Sequence, residues 1–178
     1  MTFKKDTVKI PRYNVLVVDD EEEIRKLLVR ILSKAGHQCL EAVDGVDALD
    51  KAILNKFDAI VADIGMPQMD GITLTKGLVK LYPDLPIMII TGHNEEYSAE
   101  SAIAAGAWEF IKKPFSAPEF IIRFDKMMRN HEAQCEIKEK YNKMLFNAQR
   151  DSSEEIERLK REKIFPEGKW SYFYDPND

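Results

Sequence analysis

Four apolar runs in this chain each end in residues that can do chemistry. NVLVVDDEE closes on the acidic pair Asp19 and Asp20, FDAIVAD on Asp63, PIMIITGH on Thr91, and WEFIKKPF on Lys113 and Pro114. Asp63 is followed directly by IGMPQMDG. Clustered carboxylates repel one another and raise each other's pKa unless a cation is present. Mg²⁺ suits such a cluster, because it takes octahedral oxygens and keeps waters beside one or two carboxylates. Each signal also has a plainer reading. An acidic pair after a strand is often only a helix N-terminus satisfying its dipole. A lone aspartate at a strand end is common, and Lys-Pro by itself says little. The argument rests on their joint occurrence, in this order, each after a hydrophobic run.

An open parallel sheet would bring these residues together. Short runs suited to buried parallel strands lie at Asn14–Val18, Gln38–Ala42, Phe57–Ala62, Pro86–Ile90 and Trp108–Ile111. Helical periodicity fills the gaps. Ile24, Leu27, Leu28, Ile31 and Leu32 form one stripe, with Gly36 as its stop. A second helix starts near Asp44 and presents Ala48, Leu49, Ala52 and Ile53 to the core. A third follows Gly71 and stops before Pro83. A fourth runs from about Asn94 to Ala105, and a fifth opens on the capping box Ser116-Ala-Pro-Glu119. Strand then helix, five times over, specifies an α/β, doubly wound, five-stranded parallel sheet. The flavodoxin-like order 2-1-3-4-5 gathers the ends of strands one, three, four and five around one crevice.

Helical character continues beyond Arg129. Phe120, Phe124, Met127, His131 and Cys135 prolong one stripe, and Ile137, Tyr141, Met144 and Ala148 make another at four-three-four spacing. A break is expected at Asp151-Ser152-Ser153, because Ser152 and Glu155 make a further capping box. The chain thus divides into a lead over 1–12, a domain over 13–130, a helical extension over 131–163 and an aromatic tail over 164–178. The tail holds Phe165, Trp170, Tyr172, Phe173 and Tyr174.

The bulk numbers fit a soluble globular chain. Of 178 residues, 44% are hydrophobic and 32% charged, and the net charge of −5 argues against a nucleic-acid footprint. Cys39 and Cys135 make neither a metal pattern nor a disulfide framework. No apolar run is long enough to span a membrane. MTFKKDTVKIPR carries no apolar signal region, so a cytoplasmic location is expected.

These residues resemble the receiver domain of bacterial two-component response regulators. The resemblance covers roughly Tyr13 to Arg129. It rests on Asp19-Asp20, Asp63 with Met66-Pro67 and Asp70-Gly71, Thr91, and Lys113-Pro114. TGH after strand four and AGAWEFIKKPF after helix four are most similar to the receivers that head NtrC-type activators. The resemblance implies phosphoryl transfer from a sensor kinase's phosphohistidine to Asp63 with Mg²⁺ as cofactor. By similarity Asp20, Asp63 and the backbone carbonyl of Gly65 are direct metal ligands, and Asp19 acts through water. Lys113 then offers a point charge and Thr91 a hydroxyl to the phosphoryl oxygens, and Phe110 matches the family's aromatic switch. Such a protein catalyses its own phosphorylation and dephosphorylation and is not a metabolic enzyme. The Lys113-Pro114 bond is a candidate for the cis form.

This chain departs from the family at Gly65, at Gly92 after Thr91, and at His93. These positions flank the site and are placed to affect the lifetime of the acyl phosphate. Phe110 has no tyrosine hydroxyl, so its two states would differ by packing. His131-Glu132 is faintly similar to a kinase's phospho-accepting histidine, but no kinase asparagine box accompanies it. No helix-turn-helix pattern or P-loop follows the receiver within these residues, so the expected output is protein–protein contact without DNA binding. The partners implied are a sensor histidine kinase or histidine phosphotransfer protein, and a homodimer through the C-terminal extension. No nucleic-acid or membrane partner is expected. The alternative is a phosphoryl carrier in a multistep relay.

Overall fold

The computed structural model describes residues 11–92 and 98–161, with backbone only for most of 151–161. Its elements are β1 (Asn14–Val18), α1 (Glu22–Lys34), β2 (Gln38–Ala42), α2 (Gly45–Leu54), β3 (Ala59–Asp63), α3 (Gly71–Leu81), β4 (Ile87–Thr91), α4 (Ala99–Ala105), β5 (Glu109–Lys112) and α5 (Ala117–Arg161). The five strands pair in parallel in the order β2-β1-β3-β4-β5. The expected doubly wound sheet is therefore the observed one. His93, the expected start of the fourth helix and the aromatic tail lie outside the described residues.

Alternation along the strands splits the core in two. Leu16, Val18, Ile60, Ala62, Ile87 and Ile89 face one side, where Ala48, Leu74, Leu78 and Ala102 of α2, α3 and α4 cover them. Val15, Val17, Val61, Met88 and Ile90 face the other, under Leu28 and Leu32 of α1 and Phe120, Phe124, Met127 and Met128 of α5. Both faces are covered, which is why the strands read as unbroken apolar runs.

Helix starts are set by side-chain caps. The Asp44 carboxylate accepts from the Val46 and Asp47 N–H groups, and the Asp70 carboxylate from the Thr73 N–H. Ser98 Oγ accepts from the Ser101 N–H, and Ser116 Oγ from the Glu119 N–H. Each such cap contributes about 1 kcal/mol. Gly36 follows α1 at φ 100°, a region that glycine enters without steric cost.

Three expectations need correction. Leu27 is exposed at 41% while Arg25 is buried at 9%, so α1 buries Arg25, Leu28 and Leu32, with Ile24 and Ile31 half-buried against the same core. Ile53 is 60% exposed, because α2 buries only Gly45, Ala48 and Ala52 against the sheet. The break at 151–153 does not occur, since α5 is continuous to Arg161. Asp and Ser cost a helix only about half a kcal/mol each, which strong formers on both sides offset. The chain separates into two units, Met1–His131 and Glu132–Asp178.

His37 is an unusual tenant of the second core face. Its ring lies 5.2 Å from those of both Tyr13 and Phe124. Nδ1 accepts from the Tyr13 N–H at 3.4 Å. That bond leaves the proton on Nε2, which is buried with no hydrogen-bond partner among the described residues. Burial pushes the His37 pKa below 6.5, against the opposing pull of Asp125. A depressed histidine pKa means that the unfolded chain binds the extra proton first. The neutral ring's contribution is present above pH 6.5 and is lost as pH falls below it. Thermal melts should therefore show a falling Tm from pH 7 toward 5, and His37→Phe should flatten that slope.

Candidate functional site

Strand register brings the four polar ends level. Val18 pairs with Ala62, so Asp19 stands beside Asp63. Asp63 pairs with Ile90, which puts Thr91 one residue further along β4. Thr91 pairs with Lys112, and the Lys113 N–H donates to the Thr91 carbonyl at 2.7 Å. The Lys113–Pro114 peptide is cis.

One ammonium ties the acids together. Lys113 Nζ lies 3.0 Å from Asp19 Oδ2 and 2.7 Å from Asp63 Oδ1. Glu21 Oε1 is more distant, at 3.9 Å. The other oxygen of each acid is held by backbone. The Glu21 N–H donates to Asp19 Oδ1 at 2.9 Å, and the Gly65 N–H to Asp63 Oδ2 at 2.6 Å. Asp19 is wholly buried and Asp63 nearly so, whereas Asp20 is exposed. Burial raises the Asp19 pKa, with the Asp63 charge adding to it against the pull of Lys113. Burial alone would lower the Lys113 pKa, but its contacts with Asp63 and Asp19 together outweigh that and raise it.

The loop after Asp63 is tightly constrained. A Cβ on Gly71 would lie 2.1 Å from the Asp63 carbonyl oxygen, so only glycine lets α3 begin there. Thr91 is buried, and its hydroxyl donates to the Gly92 carbonyl at 3.3 Å. Phe110 is half-buried and packs on the α2–α4 side of the sheet. His131 meets Trp108 edge-on at 5.5 Å.

The oxygen donors fit a hard divalent cation. Asp63 Oδ1 is buried and faces the Lys113 ammonium at 2.7 Å, so a cation already occupies its neighbourhood. Among the described residues no three His, Cys, Asp or Glu side chains converge as a protein cage. Mg²⁺ needs no such cage, since one or two carboxylates with carbonyl and water oxygens suffice.

One contact was not foreseen from the sequence. Arg25 Nη1 donates to the Asp19 carbonyl at 2.8 Å, and its Nε to Glu41 Oε2 at 2.9 Å. The available signal was its spacing, three before Leu28 and seven before Leu32 on the buried stripe.

A parallel sheet of this order, with acids ending β1 and β3 and a lysine after β5, defines a receiver-type signalling domain. The response regulator receiver domain profile matches residues 15–125, and the chain belongs to that family. It is 35% identical over 118 residues to the DNA-binding transcriptional regulator NtrC of Klebsiella pneumoniae, covering 66% of this chain and 25% of that protein. It is 36% identical over 115 residues to the response regulator MprA of a Mycobacterium species, covering 65% of this chain and 50% of that one. The chain thus spans between a quarter and a half of the length of these relatives. NtrX from Brucella abortus, solved with ADP, superposes with a TM-score of 0.68 at 34% identity, over 72% of this chain and 30% of that one. TrrA from Thermotoga maritima, solved in complex with Mg²⁺ and BeF, gives 0.59 at 31% identity, over 64% of this chain and 97% of that one. No helix among the described residues is long and apolar enough to cross a membrane.

Replacing Lys113 with Met leaves two buried carboxylates facing each other. Asp19, which burial already pushes up, then loses the Lys113 contact that held it down, so the variant loses stability as pH rises from 4 toward 8. Breaking a buried pair in this way costs roughly 3 kcal/mol. Denaturant unfolding at pH 5 and pH 7.5 should show the larger loss at pH 7.5, with Mg²⁺ restoring part of it.

Proposed function

We propose that this chain is a phosphoaspartate response regulator, with Asp63 as the acceptor of a phosphoryl group from a sensor histidine kinase or histidine phosphotransfer protein. The observation that carries this reading is Asp63 itself. It is a buried strand-end carboxylate with one oxygen on the Gly65 N–H and the other 2.7 Å from the Lys113 ammonium. Asp63 Oδ1 attacks phosphorus. The bond from phosphorus to the donor's imidazole nitrogen breaks, and the donor histidine leaves with the electron pair. Lys113 turns from bridging two carboxylates to balancing the phosphoryl oxygens, and the Thr91 hydroxyl donates to another of them. Asp20, Asp63 and the Gly65 carbonyl would hold Mg²⁺, with Asp19 acting through water. When bound, Mg²⁺ neutralises the carboxylates and the incoming phosphoryl charge, so that like charges can approach.

The domain limits we adopt are 13–130 for the receiver and 131–163 for the extension. Output proceeds by protein contact. Phe110 rearranges by packing when Thr91 engages the phosphoryl group, reshaping the face of α4, β5 and α5. On the extension, Ile137, Tyr141 and Met144 are exposed at heptad spacing, which suits a helical partner such as a second copy. A pure relay carrier has no need of such a helix.

Acetyl phosphate with Mg²⁺ should label the chain with one phosphoryl group, and Asp63→Asn should abolish the label. Persistence at the same stoichiometry would refute the assignment. Truncation after Arg129 should leave labelling intact and abolish any increase in mass that light scattering detects when the full chain is labelled.

A further inference from the structure

Arg25 is a buried cation beside a cation-binding site, which is a costly place for one unless it has a task. Only 9% of it is exposed, on the buried side of α1 with Leu28 and Leu32. Its guanidinium makes two directed contacts. Nη1 holds the Asp19 carbonyl at 2.8 Å, and Nε holds Glu41 Oε2 at 2.9 Å. Glu41 lies on β2, paired with Val17 in β1. Its own carbonyl accepts from Lys51 Nζ at 2.7 Å, and Lys51 bonds Asp47 at 2.7 Å. A chain of polar contacts therefore runs from α2 through β2 to the Asp19–Asp20 peptide.

We propose that Arg25 is a positioning residue for the divalent cation, fixing the Asp19–Asp20 peptide through the Asp19 carbonyl while Glu41 cancels its charge. The inference rests on the Mg²⁺ reading given above. Holding the Asp19 carbonyl fixes the plane of the peptide that follows, and that plane sets the direction in which the Asp20 side chain leaves the strand. The Asp19 carboxylate is fixed from its other side by the Glu21 N–H and Lys113. Asp20 itself is exposed, so its aim depends on the backbone that carries it. Glu41 makes the clamp compatible with its neighbour. An uncompensated guanidinium beneath the acidic pair would repel Mg²⁺, whereas the Arg25–Glu41 pair is neutral. Lysine cannot replace arginine here, because a single ammonium lacks the planar fork that reaches both oxygens.

The test is Mg²⁺ binding to the full chain by isothermal titration calorimetry, with circular dichroism confirming that each variant is folded. Arg25→Met should weaken Mg²⁺ binding about tenfold, the usual size for losing a group that orients a ligand. The Mg²⁺ midpoint for labelling by acetyl phosphate should move by the same factor, with saturating Mg²⁺ restoring most of the rate. Arg25→Lys should behave like Arg25→Met. If Arg25→Met does not fold, Glu41→Gln, at the half-exposed end of the clamp, carries the test with an expected loss in the same direction. A folded variant, of either kind, that binds Mg²⁺ as the wild type does would overturn the proposal and leave Arg25 a structural ion pair. A wild-type chain that binds no Mg²⁺ would overturn the metal reading, and this inference with it.

Discussion

The Lys113 ammonium between Asp19 and Asp63 is the constraint on which the rest of the structure depends. Two carboxylates buried side by side would each resist ionisation. Lys113, just after β5, offsets that cost and leaves the site anionic. The arrangement demands four strands in fixed register. Asp19 must leave β1 level with Asp63 on β3, and Lys113 must follow β5 across from Thr91 on β4. The core on both faces of the sheet exists to hold that register, since a slip of one residue would turn every strand side chain to the other face.

The same constraint explains the shape of the loops. Gly71 lets α3 start against the Asp63 carbonyl, and Asp70 caps that helix from inside the turn MPQMDG. The Gly65 N–H returns to Asp63 and fixes the carboxylate's rotation. Around Asp63 these contacts leave Lys113, on its long stem, as the charged group that can follow charge.

The strands and the site ends were legible because a parallel sheet buried on both faces writes itself as short apolar runs. A polar residue at the end of such a run marks the rim of the sheet. What the sequence did not show was which helix residues turn inward. Arg25 and Leu27 exchange their expected places because the α1 stripe follows backbone geometry, and a buried arginine with two oxygen partners is not visible as a hydrophobic period. Ile53 illustrates the same limit, since small residues on α2 already fill the space against the sheet. The expected break in α5 rested on capping residues, which mark a helix start only where the chain has another reason to stop. His37 gave no local signal, because its place depends on Tyr13 and Phe124, both remote in sequence.

The most direct test of the account is fluorine NMR of the chain with Mg²⁺ and beryllofluoride, a mimic of the phosphoryl group on Asp63. The account predicts a set of bound fluorine resonances in slow exchange, at one equivalent per chain and dependent on Mg²⁺. Free beryllofluoride signals alone, with the folded chain and saturating Mg²⁺ present, would contradict it.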